Sequence, residues 1–353
     1  MKKLRIAFCG LGNAASFYYE ILKHYSDQGS VDFIAGFDAI ESKAAEWQKK
    51  TGISSYGNLK NLENYKIDLV IVTTPSGSHA ADSRLFLENK INVLCEKPIG
   101  LRVDEVQSNI TYAIQKGLQY GGVFQNRFNE PIKFLKNKIE SGAFGKIISS
   151  SVKLQWSRPQ AYYEDGWHGT WLQDGGVINQ QAIHHLDALF FLLGQPHHIV
   201  GFSGNIINNL EAEDTFVGAG TFADNGFFTL EATTAIRPKD LQASIEVIGT
   251  NAQAGIGGGA INQLEYFVQD GEKISKNELQ INSEDVSSGF GNGHSKMIKM
   301  IISDWLELEE LILPISAAES LCAVQAVHSF YRSVEDGVIV DFNSGLGSAK
   351  LGQ

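Results

Sequence analysis

Apolar residues in the first third of the chain alternate between short β-branched runs and stretches spaced at three and four. Leu4–Cys9 reads as a strand, and Ala14, Phe17, Ile21, Leu22 and Tyr25 behind it trace one face of a helix. A second strand, Val31–Phe37, ends at Asp38, and Ala44, Ala45 and Trp47 mark the next helix. Further runs at Leu69–Val72, Asn92–Cys95 and 119–124 continue the rhythm. Strands alternating with helices imply right-handed crossovers and a doubly wound parallel sheet.

The rhythm changes near residue 125. Pro131 opens a short helix through Ile132, Leu135 and Ile139, with Gly142 beyond its end. Strand-like segments follow at 146–156, 198–203, 214–222, 226–236, 241–249 and 260–267, interrupted by a helix over 177–193 that stops at Gly194. Ser316 and Glu319 form a capping-box pattern ahead of a last helix reaching about Glu335. The glycine cluster 255–259 has no helix after it and reads as a turn or loop. The expected fold class is α/β. A Rossmann parallel sheet over 1–125 precedes an α+β domain over 126–353 with a large, mostly antiparallel open sheet.

Length and charge narrow the setting. A chain of 353 residues exceeds one ordinary core, which agrees with two domains. A formal net charge of −11 argues against nucleic acid or an anionic membrane as partner. No apolar run approaches the roughly 18 residues of a membrane span. The apolar start after Lys2 and Lys3 breaks at Gly10, so it reads as a first strand and not as a signal peptide. Cys9, Cys95 and Cys322 are odd in number and scattered, which fits neither a disulfide framework nor a zinc cluster. The expected setting is a reducing cytoplasm.

Gly10-x-Gly12-x-x-Ala15 stands between the first strand and the first helix, the setting in which such a loop holds a pyrophosphate. Gly10 permits the tight turn, Gly12 lets backbone approach the phosphates, and Ala15 keeps the helix close to the sheet. Asn13 and Ala14 lie in the same turn. Asp38 at the end of the second strand would accept from ribose hydroxyls and repel a 2′-phosphate, so NAD is expected over NADP. Lys97, held out of helix by Pro98, projects from a strand end and is placed to exchange a proton with a substrate hydroxyl. Glu96 beside it reads as a positioning group.

A second polar constellation lies on the helix expected over 177–193. Gln180, His184 and Asp187 fall at i, i+4 and i+7 on an otherwise apolar helix. Polar groups there need partners, either a substrate pocket or one another. His184 and His185 point about 100° apart, and the spacing to Asp187 favours His184. No metal is expected at these histidines, because no carboxylate or cysteine cluster accompanies them.

These residues resemble the glucose–fructose oxidoreductase/inositol dehydrogenase family of NAD(P)-dependent sugar dehydrogenases. The resemblance runs through the 10–15 loop, Asp38, Thr74-Pro75 to His79, Glu96-Lys97-Pro98, Gln125-Asn126-Arg127 and the helix bearing His184 and Asp187. It implies NAD contacts from Thr74, Pro75, His79, Glu96, Lys97 and Gln125. It implies Lys97 and His184 as the proton-transfer pair, with Asp187 steering the imidazole, and a homodimer or homotetramer. Within the family, Trp156-Ser157-Arg158, Tyr162-Tyr163 and Trp167 to Trp171, running into Asp174-Gly175-Gly176, look similar to nucleotide-sugar 3-dehydrogenases of the UDP-N-acetylglucosaminuronate type. That likeness implies substrate contacts from Asn126, Arg127, Arg158, Tyr163, Trp171 and Gln180 in addition to Lys97 and His184. The chain departs from the subgroup in carrying Gln180-Gln181 after Asn179. The alternatives are a free sugar or inositol dehydrogenase, whose aromatics would be plain core, and a non-catalytic NAD-binding sensor.

Overall fold

The computed structural model describes residues 2–59, 62–224, 226–286 and 291–353. The chain forms two compact units. One comprises the residues up to Val123 together with Ser295–Leu321; the other comprises Phe124–His294 and Cys322–Gln353.

The first unit contains β1 (Leu4–Cys9), α1 (Asn13–Asp27), β2 (Val31–Phe37), α2 (Glu41–Thr51), β3 (Ser55–Tyr56), β4 (Leu69–Val72), α3 (His79–Glu88), β5 (Asn92–Cys95), α4 (Val103–Lys116) and β6 (Tyr120–Gly122). Its sheet runs in the order β3-β2-β1-β4-β5-β6, with every pairing parallel. The strand order reverses between β1 and β4, and ligands of open α/β sheets sit outside the strand ends at such a point. All four residues of β4 are buried, as expected of a central strand covered on both faces.

The second unit begins with α5 (Glu130–Glu140) and β7 (Ile147–Gln155), followed by α6 (Ile183–Leu193). It continues through β8 (Pro196–Gly204), β9 (Thr215–Phe222), β10 (Phe227–Thr233), β11 (Gln242–Gly249), β12 (Ala252–Gly257), β13 (Gln263–Gln269), β14 (Glu272–Lys273) and α7 (Lys276–Ile281). The chain then passes through α8 (Gly293–Leu308) and α9 (Ala317–Asp336) to β15 (Val340–Asp341). The second sheet has nine strands in the order β14-β13-β12-β11-β7-β10-β9-β8-β15. Among the described residues only β7 and β10 pair in parallel; the other ladders are antiparallel.

Three features depart from the sequence reading. The segment 126–353 is not a single unit, because Ser295–Leu321 groups with the first. The apolar face of α8 (Met297, Ile298, Ile301, Ile302, Trp305) is buried, and the Trp305 indole N–H donates to Lys2 O at 2.9 Å. Gly122 N also donates to Ile315 O, at 3.3 Å.

The glycines at 255 and 257 lie inside β12 and not in a loop. Tyr266, directly opposite Gly255 in the ladder, fills the space a side chain there would take, and Glu265 does the same at Gly257. The missing side chains are replaced by cross-strand ones, so a run of glycines still packs as a strand.

The helix expected over 177–193 is divided into a π-turn, Ile178–Ala182, and α6. The capping box does form: Ser316 N donates to Glu319 Oε2 at 2.9 Å, and Glu319 N donates to Ser316 Oγ at 3.2 Å.

Candidate active site

In the first unit the loop after β1 is shaped by two glycines with different tasks. Gly10 has φ +87°, and a Cβ there would lie 2.5 Å from Thr74 N, so only glycine fits against the chain leaving β4. The Thr73 hydroxyl closes this junction by donating to Gly10 O at 2.6 Å. Gly12 precedes α1 in extended conformation, and a Cβ there would meet nothing within 4 Å. The first turn of α1 has no side-chain cap and no acidic residue, while Gly12, Asn13 and Ala14 are exposed. An uncapped, exposed helix start behind an open glycine fits a dinucleotide pyrophosphate. Ala15 is fully buried beneath it.

The Asp38 carboxylate is oriented by two backbone donors, Leu11 N to Oδ2 and Ile40 N to Oδ1, both at 2.9 Å. The Thr74 hydroxyl donates to Asp82 Oδ2 at 2.7 Å. Pro75 is exposed. His79 is buried with one ring nitrogen 2.7 Å from Thr74 O and the other 2.7 Å from Pro98 O. It thus ties the loop after β4 to the Lys97-Pro98 turn. Burial pushes the imidazole below its ordinary range, while the two carbonyls pull the other way.

At the end of β5, Glu96 is held on both sides. Tyr18 of α1, fully buried, donates its hydroxyl to Glu96 Oε1 at 2.7 Å, and Lys97 N donates to Glu96 Oε2 at 3.1 Å. Glu96 is therefore anchored within the protein and fixes the turn that presents Lys97, which is half-buried. Cys9 and Cys95 beneath these loops are buried, and burial raises both thiols far above neutral pH.

In the second unit Gln125, Asn126 and Arg127 lie in a buried 3-10 turn. Gln125 Oε1 is buried without a hydrogen-bond partner among the described residues. Arg127, expected against substrate, grips Asp187 instead: Nε donates to Oδ2 at 2.8 Å and Nη2 to Oδ1 at 2.6 Å. The two side chains are 9% and 2% exposed.

The π-turn also alters the expected face of polar residues. Gln180 lies inside it, so α-helical spacing applies only from His184 to Asp187, one turn apart on α6. His184 is half-buried and His185 fully buried. His185 packs edge-on against Trp156, with ring centroids 5.8 Å apart.

Two groups beneath the π-turn, Glu213 and Tyr331, had no counterpart in the sequence motifs. Glu213 Oε1 accepts from Ile178 N at 3.1 Å and from the Tyr331 hydroxyl at 3.0 Å. Tyr331 Oη in turn accepts from Gly176 N at 2.8 Å. Asn179 Nδ2 donates to Asp174 O at 2.5 Å. Only the Asp174-Gly175-Gly176 sequence gave any signal here; Glu213 and Tyr331 lie far along the chain.

The aromatic segment is mixed. Tyr163 hydrogen-bonds Thr234 Oγ1 at 2.8 Å, and Trp171 packs edge-on against Tyr331 at 5.0 Å, both within the unit's own packing. Arg158 is different. Its guanidinium lies 5.1 Å from the Trp156 ring centroid and 5.7 Å from that of Tyr162, with Asp240 3.3 Å away and a side chain 26% exposed.

Burial pushes the Glu213 carboxyl up to about 8 and the His185 imidazole down to about 4. Below the ordinary histidine value of 6.5 the unfolded chain takes up a proton that folded His185 refuses, so stability rises with pH there. From the ordinary 4.5 upward, folded Glu213 keeps a proton that the unfolded chain has lost, so stability falls with pH until about 8. The two oppose each other up to 6.5, and above it Glu213 acts alone. Unfolding free energy, followed by denaturant titration, is expected to fall above pH 6.5 by up to ~1.4 kcal/mol per pH unit. Glu213→Gln should flatten that limb.

A parallel sheet with an anion-accepting glycine turn at its switch point, an anchored Asp38 and a presented lysine defines a dinucleotide-dependent oxidoreductase. The chain belongs to the GFO/IDH/MocA oxidoreductase family: residues 4–123 match its NAD-binding Rossmann fold and residues 132–254 its C-terminal domain. Among solved structures it is similar to the WlbA dehydrogenase of Chromobacterium violaceum in complex with NADH and UDP-GlcNAcA. That likeness has 27% identity and a TM-score of 0.88, over 97% of this chain and 96% of the other. Scyllo-inositol 2-dehydrogenase (NAD(+)) of Bacillus subtilis is 25% identical over 263 residues, 72% of this chain and 74% of that protein. The uncharacterized oxidoreductase YhhX of Escherichia coli is 28% identical over 155 residues, a match that spans only 44% of each chain. No helix among the described residues is long and apolar enough to cross a membrane.

Proposed function

We propose that this enzyme oxidises a secondary hydroxyl, that of C3, on a nucleotide-activated sugar to a ketone. The observation that carries this reading is the likeness to WlbA along nearly the whole chain, a protein solved with UDP-GlcNAcA. Arg158, stacked beside two aromatic rings and partly exposed, supports it, since such a guanidinium suits diphosphate or uronate oxygens. Bound NAD supplies the hydride acceptor. Asp38 would accept from the adenosine ribose hydroxyls, and the uncapped start of α1 would hold the pyrophosphate. Lys97 Nζ takes the substrate hydroxyl proton, with His184 as the other proton-handling group. Glu96 and Tyr18 hold the turn that carries Lys97, and Arg127 fixes Asp187 one helical turn from His184.

Asp38→Ala is expected to weaken NAD about tenfold or more, from the loss of charge-assisted hydrogen bonds to ribose. NADP should be affected much less, so the ratio of the two dissociation constants by calorimetry reports this role directly.

A second reading, oxidation of a free sugar or inositol, is favoured by the likeness to scyllo-inositol 2-dehydrogenase and by the Asp240 carboxylate already beside Arg158. NAD-loaded protein mixed with UDP-activated sugars and uronates, or with free sugars and inositols, separates the two. Single-turnover growth of nicotinamide absorbance with nucleotide sugars alone supports the first reading. Growth with free polyols alone replaces it with the second.

A further inference from the structure

Away from the residues above, two adjacent histidines and an aspartate meet at one edge of the second unit's sheet. His197 and His198 lie on β8 and Asp341 on β15, each offering a ligand atom within 4.8 Å of the others. Neighbouring residues of a regular strand face opposite sides of the sheet, so two consecutive histidines should diverge. Here the pairing of β8 with β9 shifts register between Pro196 and His198, and the extra residue turns both rings together, with centroids 4.0 Å apart. Asp341 lies directly opposite His198 in the β15–β8 ladder and so shares its face.

Two of the three groups are also oriented from behind. Thr221 Oγ1 lies 3.4 Å from His198 Nδ1, which leaves Nε2 as the ring nitrogen for an ion. Asp341 Oδ1 accepts from Asn343 N at 2.8 Å, which leaves Oδ2. Outer partners of this kind fix ring tautomer and carboxylate direction in metal sites.

We infer that His197, His198 and Asp341 form a binding site for a divalent transition-metal ion of the zinc type. Two imidazoles and one carboxylate suit Zn²⁺, Co²⁺ or Ni²⁺ and are a poor set for Mg²⁺ or Ca²⁺, which take oxygen shells. Three protein ligands leave the remaining positions to water. Among the described residues this is the one such cluster. Its place suggests its effect: β15 is two residues long and among the described residues pairs only with β8, so an ion bridging the two strands fastens the last strand of the sheet.

The test uses the full-length protein stripped with a chelator and titrated with Zn²⁺ alone by calorimetry. One equivalent per chain is expected, with Tm rising by about 2–4 °C at a hundredfold excess over Kd. His198→Ala should weaken binding tenfold or more. Asp341→Asn, which keeps an oxygen for Asn343 N, should do the same while leaving the metal-free Tm unchanged. Thr221→Val touches no ion and should still weaken Zn²⁺ several-fold through His198 Nδ1. No saturable binding, or equal binding by wild type and the His198 and Asp341 variants, overturns the assignment.

Discussion

Lys97→Met is expected to lower kcat by ~10²–10⁴-fold while leaving NAD affinity within a few-fold of wild type. Methionine keeps the length and apolar stem of lysine and removes only the ammonium, so the loss reports proton transfer and not packing. The turn itself should persist, because its anchors are elsewhere: Glu96 is held by Tyr18 and by the Lys97 backbone amide, and neither bond uses the Lys97 side chain. A proton-transfer role also requires the alkaline or acidic limb of the pH–kcat profile to shift or vanish in the variant. Equal losses of turnover and NAD binding would instead make Lys97 a cofactor-positioning group. Tyr18→Phe, which removes the Tyr18 hydroxyl that donates to Glu96 Oε1, is the companion variant.

Arg127→Met should carry the largest cost in stability, about 3–5 kcal/mol, because it leaves the Asp187 carboxylate buried without its counter-ion. Both oxygens of that carboxylate are engaged by the guanidinium, which also lies 5.0 Å from the centre of the Phe191 ring. The penalty belongs to the stranded charge and not to the pair as such. Removing both partners, Arg127→Met with Asp187→Leu, should therefore recover most of the loss in a denaturant titration. If the double variant is as unstable as the single one, the pair matters through shape, and the electrostatic account fails.

The architecture of the first unit was legible because each strand and helix there carries its own local signature. Buried parallel strands read as unbroken apolar runs, and a turn that admits only Gly10 announces itself by sequence. The place of Lys97 at the end of β5 was legible through its neighbours Glu96 and Pro98. Partnerships across long stretches of chain were not. Nothing local links Arg127 to Asp187, Tyr18 to Glu96, or Glu213 to the amide of Ile178. The π-turn escaped because one residue of slippage leaves the apolar pattern of a helix almost unchanged while rotating what precedes it. The strand at 252–257 was missed because its glycines are covered by residues of the next strand, which no reading of the glycines alone reveals. Trp171 looked like a ligand and is turned onto Tyr331; aromatic composition does not say which way a ring faces.

The return of Ser295–Leu321 to the first unit has a consequence for modularity. The nucleotide-binding half is assembled from two distant stretches of polypeptide, with the whole of residues 124–294 inserted between them. A fragment ending at Val123 would lack α8 and bare the surfaces that Met297, Ile302 and Trp305 cover. This half is therefore no detachable cassette. Recombination, proteolytic trimming or ribosomal release after the first half leaves all six strands of the Rossmann sheet but an incomplete core, which is closed only when the stretch through Leu321 has been added.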